Sequence, residues 1–154
     1  MGTVTHEQAN LMLKLYEIRR EPRLRQARAW FVENYFGTTP EEMMAKYPPG
    51  SEAGTNIRMV VSYWEMAAGL VNRGLIDDEL FFENNGEAWL VWDRLSATVP
   101  PWRAAFKNPT MFLQLEKLAT RFEAWRERVA PGSTSALRER MEQMRQAQAK
   151  AASQ

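Results

Sequence analysis

The chain contains no cysteine and a single histidine, His6. The first absence excludes disulfides, thiolate catalysis and cysteine-based zinc or iron–sulfur sites. The second leaves no two-histidine metal site, and His6 stands in the first turn of a helix with no catalytic motif around it. No phosphate-cradling glycine-rich loop, nucleophile elbow or metal triad is present. No run of about 18 residues is free of charge, so no membrane-spanning helix is expected. The start, Met-Gly-Thr-Val-Thr-His-Glu, has no basic segment followed by an apolar run, so it does not read as a secretory signal. His6 also occupies the place where a myristoylation pattern needs Ser or Thr. One-sided charge is missing too. Twenty Lys and Arg against nineteen Asp and Glu leave a formal net charge of +1, with no global drive toward nucleic acid or anionic lipid. A cytoplasmic protein without cofactor or metal is the expectation.

What is present is a core. Hydrophobic residues make up 45% of the 154 positions, with six Trp, seven Phe and nine Met. Disordered chains are poor in such groups, and a chain of this length buries roughly two-thirds of its unfolded surface. The apolar spacing is helical nearly throughout, with no convincing strand alternation and no repeat of solenoid length.

Thr5 and Gln8 form a capping-box pattern at the first helix. Pro22 suits the first turn of a second helix reaching about Phe36. Thr39-Pro40-Glu41-Glu42 opens a third, which Pro48-Pro49-Gly50 stops. Ser51 or Thr55 opens a fourth, running to about Arg73 and closed by Gly74. Asp77 caps a short fifth. A sixth is expected from about Glu87 to Pro100-Pro101, and Asn108-Pro109 opens a seventh with a clean stripe of Met111, Leu115, Leu118, Phe122 and Trp125. Pro131-Gly132-Ser133 reads as a linker. The expected architecture is an all-α, compact multi-helix bundle of about seven or eight helices. It divides into a bundle domain over 1–130 and a linker with a C-terminal amphipathic helix over 131–154. That last helix is loosely attached, carries a thin strip of Leu137, Met141 and Met144, and frays beyond Gln146. A two-turn strip gains little alone, so it should dock on the bundle, a second subunit or a protein partner.

The most apolar stretch, "MVVSYWEMAAGLVNRGLIDDELFF", holds a carboxylate, Glu65. At 100° per residue the apolar side chains of positions 56–73 cover well over half the helix. Arg58, Ser62, Glu65, Gly69 and Asn72 fall on the remaining strip. Small residues at 62 and 69 let another helix approach, so Glu65 is expected to be partly buried. A buried carboxylate needs a cation or hydrogen-bond donors. The expectation is a structural ion pair with an arginine, Arg58 or Arg103 foremost, rather than a catalytic acid. A catalytic Glu65 would require an open cleft over Ser62 and Gly69.

"SYWEMAAGLVNRGLIDDELFF", "WLVWDRL" and "PWRAAFKNPTMFLQLEKLATRF" together resemble an uncharacterised bacterial helical family, the domain of unknown function 4760 type. The matching elements are Trp64-Glu65, then Val71-Asn72-Arg73-Gly74-Leu75-Ile76-Asp77, then Trp89 and Trp92, Arg103, and Asn108-Pro109. The resemblance spans roughly residues 11–126, and "EPRLRQARAW" extends it toward the N-terminus. It implies a helical fold and supplies no activity. It also points to Glu65 and Arg103 as a pair. Many relatives of this type carry an N-terminal membrane helix, which is not read in these residues.

Three other groups carry chemistry. Asp77, Asp78, Glu79 and Glu83 form an acidic cluster better explained by capping and the helix dipole than by a metal. Lys14, Arg19, Arg20, Arg23, Arg25 and Arg28 form a basic face that suits an anion. It carries no named nucleic-acid motif, so a solvated face or a contact with the acidic 77–87 segment is favoured. Trp89, Trp92, Trp102 and Phe106 suit core packing better than an aromatic cage. The function expected is a non-enzymatic interaction or structural module, possible as a homo-oligomer. The alternatives are an anion or nucleic-acid binder through 14–28, or an enzyme using Glu65.

Overall fold

Residues 2–154 are described by the structure, a computed structural model, and the helices begin and end where local chemistry demands. Thr5 accepts from the Gln8 amide at 3.2 Å and starts α1 (His6–Arg19). The Gln8 side-chain oxygen is buried without a partner, so the box expected there is half made. Glu21 accepts from the amides of Arg23 and Leu24 to start α2 (Pro22–Asn34). Thr39 and Glu42 bond each other's backbone in a complete capping box ahead of α3 (Pro40–Lys46). Ser51 caps α4 (Glu52–Asn72), and Asp77 caps α5 (Asp78–Asn84) through the Leu80 amide.

Beyond α5 the expected boundaries are corrected. The sixth segment is two helices, α6 (Gly86–Leu95) and α7 (Val99–Ala105). Pro100 and Pro101 open α7 instead of ending α6. The first turn of a helix has no intrahelical use for the amide hydrogens that proline lacks. The next helix, α8 (Leu113–Val129), begins later than Asn108-Pro109, after a turn in which Asn108 accepts from the Thr110 amide. The last, α9 (Ser133–Ala152), is helical past Gln146, where fraying was expected.

Contacts divide the chain within α8. The first unit reaches Ala119 and the second begins at Thr120. In the first unit α4 is central and packs against α2 and α6. Val60, Trp64, Ala67 and Ala68 are fully buried, as the broad apolar girth of α4 requires. Met66, counted on that girth, is instead 46% exposed. Phe31, Tyr35, Phe81, Trp89 and Leu95 complete the core from neighbouring elements.

In the second unit, Glu127 accepts from the amides of Gly132 at 2.9 Å and Thr134 at 3.0 Å and so closes the start of α9. These donors, the Gly132 amide above all, hold its carboxyl below the usual range. A depressed carboxylate contributes above its unfolded value and loses that contribution as pH falls through the folded one. Acidification through the carboxylate range is therefore expected to lower the hydrogen-exchange protection of the Gly132 and Thr134 amides. Glu127→Gln should weaken that dependence.

Candidate functional site

Two arginines of the expected basic face turn inward. Arg28 makes a two-pronged bond to Glu87, Nε to Oε1 at 2.9 Å and Nη2 to Oε2 at 2.8 Å. Its Nη1 donates to the Arg19 carbonyl. Glu87 also accepts from Trp64 Nε1 at 3.0 Å. The Glu87 hydrogen bond raises the Arg28 pKa above its already high ordinary range. Arg19 donates to Asn85 Oδ1 at 2.6 Å, with its guanidinium 4.9 Å from the Tyr16 ring centre. Beside them the Tyr63 hydroxyl donates to the Leu15 carbonyl at 2.6 Å, and burial pushes its pKa up to about 12. The basic run thus meets the 77–87 segment and locks α1 and α2 onto it. Arg20 and Arg25 stay exposed and Arg23 is half-buried. Of the five arginines expected as a basic face, the two innermost, Arg19 and Arg28, thus already hold partners within the chain.

Glu65 is half-buried, and its partner is not an arginine. One carboxylate oxygen accepts from the Gln114 amide at 3.1 Å and the other from the Leu115 amide at 2.7 Å. The reason lies at the start of α8. Phe112 precedes that helix at φ 55° and has no side-chain oxygen for the orphan amides. Glu65 supplies the oxygens from α4, with its charge at the positive end of the helix dipole. Asn72, on the same strip, donates to the carbonyl and side-chain oxygen of Gln114. A Cβ placed on Gly69 would lie 3.8 Å from Gln114 Cγ, which fits the close helix approach expected over that strip. Glu65→Ala is expected to cost about 1–3 kcal/mol by leaving two amides unpaired, read as a lower denaturant midpoint.

The expected pairing of Glu65 with Arg103 or Arg58 is therefore corrected. Arg103 Nη2 meets Glu116 Oε2 at 2.7 Å, and its Nε donates to the Met111 carbonyl. Both partners belong to the segment that Glu65 caps. Arg58 lies two turns from Glu65, exposed, at the mouth of a cavity instead.

That cavity has a volume of about 240 Å³. Ile57, Val61 and Leu95 form buried walls, while Met44, Trp102 and Phe112 stand nearer the surface. The start of α4 shapes its rim. A Cβ on Gly54 would come within 2.6 Å of the Pro48 carbonyl, so only glycine lets the 47–50 turn lie against the helix there. Tyr47 is fixed by edge contacts to Trp30 and Tyr35, with centroids at 5.6 and 5.9 Å. Of the tryptophan group, Trp102 lines this cavity, Trp89 is core, and Phe106 is 67% exposed. They do not form one cage.

A further buried charge is Arg94, which is 6% exposed. Its Nη1 donates to the carbonyls of Phe31, Val32 and Tyr35 and closes the end of α2. The guanidinium lies 4.4 Å from the Phe36 ring centre. Burial pulls its pKa down, with Asp93 opposing, and arginine stays cationic all the same. The available signal was an Asp-Arg pair, Asp93-Arg94, inside the apolar "WLVWDRL". In the second unit, α9 shows Leu137 and Met144 exposed by 36% and 42%, with Met141 half-buried.

Among the described residues no group of His, Asp or Glu is arranged to hold a metal ion. No helix there is long and apolar enough to cross a membrane. No curated protein and no solved structure matches the chain. One family does, described as a domain of unknown function, DUF4760, over residues 4–122. That span includes Trp64-Glu65, the Gly74 turn, Arg103 and Asn108-Pro109, and the chain belongs to this family.

Proposed function

We propose that the protein is a cytoplasmic, non-enzymatic protein-interaction module whose contact is the apolar strip of α9. The observation that carries this is the exposure of Leu137 and Met144 on a 20-residue helix whose one buried residue is Thr134. Leu137, Met141 and Met144 follow each other at spacings of four and three, and the same register runs on through Gln148 to Ala151. That is the seam of a helix that pairs with another helix, with Gln148 as its polar position. Arg138, Arg140 and Arg145 flank the seam. Arg138 and Arg145 hold Glu123 and Glu142 in exposed pairs, which contribute little and exchange readily. A second copy would bring arginine against arginine at these flanks. The partner that fits is an amphipathic helix with Glu or Asp beside its apolar seam.

Two measurements on the full chain test this. A heptad peptide with leucine seam and glutamate flanks is titrated against it, and light scattering gives the subunit number. The expected result is a monomer that binds the peptide and loses binding with Leu137→Ser/Met144→Ser. Absence of peptide binding overturns the proposal. A stable homo-oligomer that the same double substitution dissolves would replace the foreign helix by a second copy.

A further inference from the structure

The cavity beside α3 and α4 joins three features that no capping or packing role explains. Its volume of about 240 Å³ holds roughly eight groups of water size, slightly below the usual range for ligand pockets. Its body is apolar, with buried aliphatic walls from Ile57, Val61 and Leu95. Met43 and Met44 line the α3 side, and thioether side chains re-pack readily around different shapes. Its mouth carries Arg58, a cation with no ion pair or hydrogen bond among the described residues. The hydroxyl of Tyr47, a second lining residue, likewise has no hydrogen-bond partner there.

The wall is also held under strain. Phe112 lines the cavity at φ 55°, a conformation uncommon for a bulky residue and found where a structure clamps a ligand. An apolar body closed by one fixed cation selects by charge as well as by shape. Arginine binds carboxylates through two parallel N–H donors. A neutral apolar molecule would leave Arg58 unused, and a larger polyanion would find one cation and a greasy wall. Phosphate-sized dianions lack the body that fills the space.

We propose that this cavity binds a small monocarboxylate whose apolar body of roughly eight carbon-sized groups fills the space below Arg58, with the carboxylate held by the Arg58 guanidinium. The Tyr47 hydroxyl donates to the same head. This site lies in the first unit and stands independently of the α9 contact.

The test uses the full chain with straight-chain carboxylates from butanoate to decanoate and octanol as the uncharged counterpart. Binding is read from the NMR shifts of labelled methionine methyls and from tryptophan emission. The expected result is saturable binding that peaks near octanoate and shifts the Met43 and Met44 methyls. Arg58→Gln, at an exposed position, should weaken octanoate about tenfold or more, the loss of one charge-assisted contact, and leave octanol unchanged. Ser62→Phe, at the exposed rim, should block both. Failure of every carboxylate to bind overturns the proposal. So does octanoate binding that Arg58→Gln leaves intact, because the head group would then lie elsewhere. Shifts at Met141 and Met144 instead of Met43 and Met44 would assign the binding to α9 and also overturn it.

Discussion

Glu87→Ala is expected to lower the unfolding free energy by about 3–5 kcal/mol, the cost of stranding one member of a buried ion pair. Glu87 and Arg28 are exposed by less than a quarter of their side-chain surface, at 18% and 20%. Removing the carboxylate leaves Arg28 Nε and Nη2 and Trp64 Nε1 without the acceptor they share. The remaining contact of Arg28 with the Arg19 carbonyl, at 3.2 Å, cannot absorb the charge. Equilibrium denaturation followed by tryptophan emission measures the loss as a lower midpoint at unchanged slope. Arg28→Met/Glu87→Leu should be milder than Glu87→Ala, since an apolar pair removes the stranded cation. It will not be neutral, because the indole still lacks its acceptor. A double-substitution cycle giving a coupling near zero would show that the two side chains do not act as a unit.

Arg94→Met is expected to cost about 2–4 kcal/mol, the penalty for exposing several buried carbonyls without a donor. Methionine matches much of the arginine stem, so the lost volume is small. What goes is the donor that closes α2 at Phe31, Val32 and Tyr35. The neighbouring turn depends on the same segment. Gly37 sits at φ 96°, and a Cβ there would come within 2.9 Å of the Arg94 carbonyl. Thr98 ties in the next residue by donating to the Thr38 carbonyl at 2.5 Å. Hydrogen exchange should therefore show early opening at the end of α2 and the 36–39 turn in Arg94→Met. A uniform loss of protection would assign Arg94 a general packing role instead.

These residues show what a sequence can carry. The starts of α3, α4 and α5 were legible because the caps are local: Thr39, Ser51 and Asp77 lie within three residues of the amides they bond. The central place of α4 was legible from its apolar girth. The polar strip was legible as a surface for a close helix, but its partner was not. Glu65 bonds a backbone 49 and 50 positions away, and nothing in the residue types distinguishes amide donors from a guanidinium. The same limit applied to Arg28 and Arg94, whose partners lie 59 to 63 residues distant. The split of α6 from α7 was missed because two prolines fit the end of one helix and the first turn of the next equally well. The cavity was invisible for a different reason. It is space left between elements, and its one charged lining residue, Arg58, reads in sequence as a partner for Glu65.

Glu65 also bears on the order in which the chain assembles. Most helices here carry their own starting signal and can begin to coil before any tertiary contact exists. The first turn of α8 has none. Its Gln114 and Leu115 amides wait for a carboxylate on α4, so that turn gains its cap only after a loop of some fifty residues has closed. Loop closure of that length is an entropic cost met before the bond forms. The beginning of α8 is accordingly expected to form late in folding, so that Glu65→Ala should speed unfolding more than it slows refolding.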